Sequence, residues 1–175
     1  MRRVPIVQGE YRVVAEPGVV ISTLLGSCVA ACLQDPVARV GGMNHFLLGE
    51  PSAETRVSAV EMQRYGVHAM ELLINELMKI GAQRTRLRGH LYGGANIIAG
   101  LGGIGSSNAA FARKFMETEG IPLGRCELGG TQARKVEFMP HEGRVRATLV
   151  AEAPPLVATR VVAPAAPVDG DVELF

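Results

Sequence analysis

The sequence predicts an α+β fold: β-sandwich-like sheets with two main helices packed on one face. Three observations lead there. Short β-branched or alternating apolar runs recur along most of the chain. Only two stretches carry the three- and four-residue apolar spacing of an amphipathic helix. Strands and helices do not alternate regularly, which argues against a doubly wound parallel sheet. The chain has 175 residues, 47% hydrophobic and 20% charged, enough for one domain with its own core.

The bulk numbers also exclude classes of function. A formal net charge of +1 gives no general attraction to nucleic acid or to an acidic membrane surface. No apolar run approaches the roughly 20 residues of a membrane span. The start, Met1-Arg2-Arg3-Val4-Pro5, is basic without an apolar signal core, so a cytoplasmic location is expected. Three cysteines, Cys28, Cys32 and Cys126, are too few and too odd in number for a disulfide framework and read as free thiols. No CxxC pair is present, and His68, His90 and His141 have no ligand spacing, so no metal and no cofactor is expected.

Taken in order, Val4 to Val14 reads as an opening strand and loop, punctuated by Gly9. Gly18 to Leu24 is β-branched and apolar, a buried strand. Gly26-Ser27 breaks it, and two apolar runs follow on either side of Asp35-Pro36-Val37-Ala38. Asp suits the first position of a type I turn and Pro the second. A hairpin about that turn pairs Asp35 with Ala38, Gln34 with Arg39, Cys32 with Gly41, Ala30 with Met43 and Cys28 with His45. Leu47 to Ser58 reads as a loop. Ser58 and Glu61 fit a capping box, and Met62, Ala69, Met70, Leu73, Leu77 and Ile80 make one helical face that Gly81 ends. Gly66 inside this face suits a close approach by another segment. Arg84 to Tyr92 alternates as a half-buried strand, with Arg84, Arg86 and Arg88 on its solvated side. Gly93 to Asn96 and Gly100 to Gly105 are glycine-rich. Ser106, Ser107 and Asn108 are N-cap candidates for a second helix, with Phe111, Ala112 and Phe115 on its apolar side and Gly120 at its end. Arg134 to Met139 and Arg144 to Val150 form a second hairpin about Pro140 to Gly143. Residues 1–152 make the domain. Residues 153–175 are Pro-, Ala- and Val-rich without an amphipathic period and read as a mobile tail.

The chemistry concentrates at the first hairpin. A buried cysteine is more often a small apolar residue than a nucleophile, and Cys32 fits that description. Cys28 differs by its place after Gly26-Ser27 at a strand end, opposite His45 in the expected register. Cross-strand partners have Cβ atoms roughly 4.5–5.5 Å apart, close enough for a thiol and an imidazole to form a nucleophile–base pair. Backbone N–H groups near Cys28 could receive an oxyanion. A third group should fix the imidazole tautomer; Ser22 and Thr23 are the nearest hydroxyls in sequence, ahead of Asn44 and Asn108.

Leu25-Gly26-Ser27-Cys28-Val29, Asp35-Pro36-Val37-Ala38 and Gly41-Gly42-Met43-Asn44-His45 resemble the signature of the chemoreceptor glutamine deamidases, the CheD family. Further similarities follow in order: Arg64-Tyr65-Gly66-Val67 with Ala69-Met70, Tyr92-Gly93-Gly94-Ala95-Asn96, Ile104-Gly105 with Asn108, and Gly129-Gly130 with Arg134-Lys135-Val136. They span roughly Glu10 to Val150. The resemblance implies a protein-glutamine glutaminase, which converts receptor glutamines to glutamate and ammonia through a Cys-His thioester without a cofactor. It maps the nucleophile onto Cys28, the base onto His45, and the hydroxyl six residues before the cysteine onto Ser22, with Thr23 beside it. The implied partners are the cytoplasmic helices of chemoreceptors and a CheC-type phosphatase. Two other readings use the same residues: a non-catalytic adaptor for receptor helices or the phosphatase, and a cysteine peptidase or thioesterase.

Overall fold

The computed structural model describes residues 1–48, 59–97 and 103–151. Among these, nine strands and two α-helices occur: β1 Arg2–Pro5, β2 Tyr11–Val14, β3 Val19–Leu25, β4 Val29–Asp35, β5 Val40–Asn44, α1 Ala59–Lys79, β6 Arg88–Gly93, α2 Ile104–Thr118, β7 Leu123–Leu128, β8 Arg134–Met139 and β9 Arg144–Leu149. A four-stranded sheet runs β1-β3-β8-β9 and a five-stranded sheet runs β2-β5-β4-β6-β7. Most neighbours are antiparallel; β1–β3 and β6–β7 are parallel. The α+β class and its two-sheet layering are therefore as the sequence predicts.

The layers follow from alternation on β4, whose side chains point to opposite faces in turn. Val29, Ala31 and Leu33 face the two helices, in a core with Met70, Leu73, Ile74, Leu77, Phe111, Ala112, Phe115 and Met116. Ala30 and Cys32 face the other sheet, with Cys28, Met43, Tyr92, Ile21, Leu25, Val136 and Phe138. The chain thus has three layers, and β4 is covered on both sides. Each fully buried aliphatic side chain of this kind contributes roughly 1.5–3 kcal/mol, so α1 is held by four such residues at positions 70, 73, 74 and 77.

Several local features differ from the sequence reading. Met70, Leu73 and Leu77 are buried as expected, but Ile74 joins them and Ile80 is 37% exposed, because the helix ends at Lys79. Gly66 is where α1 meets Leu48 and Phe111: a Cβ there would lie 2.6 Å from each side chain. The second helix begins at Ile104, with Gly103 in the left-handed region as its N-cap, so Ser106, Ser107 and Asn108 lie inside it. Arg84–Arg86 form a 3-10 turn before β6. Their guanidinium groups are engaged: Arg84 pairs with Glu71 at 2.9 Å and Glu119 at 2.6 Å, and Arg86 with Asp35 at 2.8 Å. The capping serine Ser58, parts of the two glycine- and proline-rich loops, and the tail from 153 onward lie outside the described residues.

Candidate active site

The hairpin that carries Cys28 and His45 exists, in a different register. Asp35 pairs with Val40, Gln34 with Gly41, Leu33 with Gly42 and Cys32 with Met43, and an isolated bridge joins Val29 to Phe46. The turn is four residues long rather than two. Asp35 causes this: its carboxylate accepts the N–H groups of Val37 and Ala38, its carbonyl accepts that of Arg39, and Arg39 closes the loop at φ 58°. Arg86 and the Gln83 N–H complete the set around a carboxylate with no solvent exposure. Burial alone would raise the Asp35 carboxyl. The Arg86 hydrogen bond, with the backbone N–H groups of Ala38, Gln83 and Val37, outweighs it and holds the group well below the ordinary carboxylate range.

The offset is two residues, an even number, so the faces are unchanged. In this register His45 lies level with Ala30, and Cys28 sits one same-face position further along. The expected direct Cys28–His45 opposition is thus corrected to a diagonal one. Near His45 the ladder also opens. The Asn44 side-chain carbonyl takes the Ala31 N–H at 2.9 Å, and the His45 backbone turns to the segment before β2: its N–H donates to Glu10 O at 3.0 Å and its carbonyl accepts from Gly9 at 2.8 Å.

Of the two candidate hydroxyls, Thr23 reaches the imidazole. On β3 the inward positions are Val19, Ile21, Thr23 and Leu25, while Ser22 and Leu24 point outward. Thr23 Oγ1 lies 2.7 Å from His45 Nδ1 and 2.7 Å from Ile6 O. The Ile6 carbonyl can only accept, so the single hydroxyl proton goes to it. His45 Nδ1–H must then donate to Thr23 Oγ1, and Nε2 is left with its lone pair. His45 is 7% exposed and Thr23 6%. Burial pulls the imidazole from 6.5 down to about 4, opposed in part by the Glu10 carboxylate. The ring is therefore uncharged at neutral pH.

Cys28, 8% exposed, ends the Gly26-Ser27 turn. Three successive carbonyls of this turn are tied into the protein. Gly26 O accepts from Ala95 N at 3.0 Å and Cys28 O from Gly94 N at 2.8 Å, and Ser27 O accepts from Asn108 Nδ2 at 2.8 Å. Peptide planarity sets each N–H opposite the carbonyl of the residue before it, so the Ser27 N–H points away from Ala95 and the Cys28 N–H away from Asn108. Gly93 makes the grip on Cys28 O possible: its φ is 112°, and a Cβ there would sit 2.2 Å from the Cys28 carbonyl oxygen. Arg134, buried on β8, donates to Gly93 O and Gly129 O at 2.7 Å each. Asn108, 1% exposed, also accepts from Leu48 N at 3.0 Å. It thereby ties the turn before Cys28 to the segment that follows His45.

Proteins of known name resemble the chain over almost all of its length. Residues 47–148, more than half of it, match the family model described as CheD chemotactic sensory transduction. A protein from Rhizobium rhizogenes is 53% identical over 99% of this chain and 96% of its own length. One from Agrobacterium fabrum is 51% identical over 99% and 97%, and one from Caulobacter vibrioides 49% over 99% and 93%. Each is named probable chemoreceptor glutamine deamidase CheD. The chain belongs to the CheD family. Among solved structures, a Neisseria meningitidis protein of the family-model DUF152 is similar at a TM-score of 0.48, with 9% identity over 74% of this chain and 64% of that one.

Against this family background the remaining sequence candidates settle into structure. Cys32 is 1% exposed in the core between the sheets, and burial pushes its thiol far above the ordinary range. His90 Nδ1 accepts the Arg125 N–H at 2.7 Å. Among the described residues no group of three or more His, Cys, Asp or Glu side chains could hold a metal ion, and no helix is long and apolar enough to cross a membrane. The sequence reads residues 6–10 only as part of an opening strand and loop, whereas in the structure they touch Thr23, Cys28 and His45 in turn. Their only signal was Gly9, which has φ 90°.

Proposed function

We propose that this chain hydrolyses glutamine carboxamides on the cytoplasmic helices of chemoreceptors to glutamate and ammonia, with Cys28 as nucleophile, His45 as base and Thr23 as the group that orients His45. The observation that carries this reading is the Thr23–His45 contact. It assigns the proton to Nδ1 and reserves Nε2, on an uncharged ring, to take a proton. The names of the relatives supply the substrate class.

In this mechanism His45 Nε2 takes the Cys28 thiol proton as sulfur bonds to the carboxamide carbon. The carbonyl oxygen becomes an oxyanion, stabilised by N–H groups of the Gly26-Ser27-Cys28 turn. As it collapses, the C–N bond breaks and the His45 proton leaves with ammonia. A water then gives its proton to Nε2 and attacks the thioester, which releases glutamate and restores the thiol. No step needs a metal or organic cofactor. Each conversion adds a negative charge to a receptor helix, which changes like-charge repulsion between packed helices. The catalytic unit is residues 1–152, with 153–175 as an appended tail. The work is cytoplasmic, and a CheC-type phosphatase is a second partner.

The test is mass spectrometry of a receptor cytoplasmic fragment incubated with the chain, in which each conversion adds about 1 Da. The gain is expected with the wild type and absent with Cys28→Ala. Undiminished conversion by Cys28→Ala would sink the nucleophile assignment. Co-elution with the fragment without any mass change would select a non-catalytic adaptor.

A further inference from the structure

The turn before β2 places a carboxamide against the nucleophile. Cys28 Sγ donates to Gln8 Oε1 at 3.7 Å. Gln8 is held there by the same residues that build the rest of the site. Its turn is closed twice, by Glu10 N to Val7 O and by Val7 N to Glu10 Oε1, both 2.9 Å. Gly9 N and Glu10 O then bracket the His45 backbone, at 2.8 and 3.0 Å. Ile6 O receives the Thr23 hydroxyl. Residues 6, 8, 9 and 10 thus each bind one of Thr23, Cys28 and His45, which fixes the Gln8 backbone beside the sulfur while its exposed side chain keeps its own torsional freedom.

We propose that Gln8 is a further catalytic residue of this site: its carboxamide donates an N–H to the oxyanion that forms when Cys28 attacks. The inference deepens the function proposed above and rests on Cys28 being the nucleophile. The chemistry follows from what a carboxamide offers. In the resting site its oxygen accepts the thiol proton. Once that proton has passed to His45, Oε1 has lost its donor, and the acceptor in need is the new oxyanion on the carbon bonded to sulfur. The last torsion of glutamine is broad and roughly two-fold, so rotation about it exchanges the two ends of the amide and presents Nε2–H to that oxygen. The donor adds to the N–H groups of the nucleophile turn, and no proton is transferred to or from Gln8.

Gln8 is not placed as a substrate. Its contact with sulfur is a hydrogen bond to the oxygen, so the amide carbon lies farther from Sγ than the 3.7 Å to Oε1. A near-attack arrangement needs about 3–3.5 Å to the carbon.

The experiment compares two reactions of Cys28 in full-length wild type and Gln8→Ala. Deamidation of the receptor fragment passes through an oxyanion. Alkylation of Cys28 by iodoacetamide, followed on the Cys28 peptide, is displacement at a saturated carbon and forms none. For Gln8→Ala, kcat for deamidation is expected to fall about 100-fold while KM and the Cys28 alkylation rate stay within about threefold. Gln8→Glu, equal in size but without the donor, is expected to lose at least as much. An unchanged kcat would overturn the proposal. So would an equal loss of both rates, which would make Gln8 a positioning residue, or glutamate appearing at position 8 of the resting wild type but not of Cys28→Ala. Failure of the underlying nucleophile reading shows separately, as activity in Cys28→Ala.

Discussion

An imidazole acts as a base only through the nitrogen without a proton, and here one hydroxyl decides which nitrogen that is. Thr23 spends its proton on Ile6 O and so requires one from His45 Nδ1. Thr23→Val keeps the shape and removes that acceptor, leaving the ring free to take the other tautomer. The expected result is a fall in kcat of about 100-fold with little change in KM. Thr23→Ser should recover most of the loss, and Ser22→Ala should match wild type, because Ser22 points out of the sandwich. Steady-state ammonia release from a receptor fragment measures all three, and a large loss in Ser22→Ala would exchange the two assignments. This choice was not legible in the sequence. Adjacent residues on a strand face opposite ways, and which faces inward depends on the pairing of β3 with β1 and β8, both remote in sequence. Gln8 was invisible for the same reason: its meaning comes from a turn folded onto residues 20 and more positions away.

At the scale of elements, the sequence was most informative where contacts are local. The apolar periods of α1 and α2, the alternation of β8 and β9 and the strand–turn–strand of β4 and β5 all appear in the structure. The pairing of β4 with β5 was misread by two residues because the Asp35 side chain supports a longer loop than Asp-Pro alone suggests. The face assignment survived because the offset was even. β7 and the parallel partnership of β1 with β3 had no local signal, since both depend on long-range docking. The glycine pair after β6 was recognisable as a bend, but its purpose was not. Gly93 and Gly94 have φ 112° and 65° and let the chain turn so that Gly94 N and Ala95 N hold the carbonyls on either side of Ser27. Gly93→Ala would combine a strained φ with a Cβ 2.2 Å from Cys28 O. Stability is expected to fall by at least about 2 kcal/mol, read as a lower urea midpoint. Because the displaced atom belongs to the turn of the proposed nucleophile, deamidation measured well below that midpoint should fall too. Full activity and an unchanged midpoint in Gly93→Ala would mean that the Gly93–Cys28 approach is not a constraint on the site.

For the whole molecule, the site sits where all three layers meet: Thr23 from the four-stranded sheet, Cys28 and His45 from the ends of β4 and β5 in the five-stranded sheet, and Asn108 from the helical layer. His45 is buried in it, and that burial is written into global stability. Folding transfers His45 from water, where it titrates near 6.5, to an interior where it titrates near 4. Between those values the unfolded chain holds a proton that the folded chain does not. Stability is therefore fully present above about 6.5, declines as pH falls toward 4, and loses no more to this group below that. The decline amounts to about 3 kcal/mol. His90 is also lowered by burial and adds to the same window with the same sign, whereas the lowered carboxyls of Asp35, Glu71 and Glu137 act only from about 4.5 downward. The His45 share is isolated by comparison with His45→Gln, which cannot titrate. Urea unfolding at several pH values between 7 and 4.5 should give a stability difference, wild type minus variant, that shrinks steadily as pH falls. A difference constant across that range would show that His45 takes up its proton as readily in the folded chain as in the unfolded one. The imidazole would then be a solvated group, and the uncharged resting base proposed for this site would be lost with it.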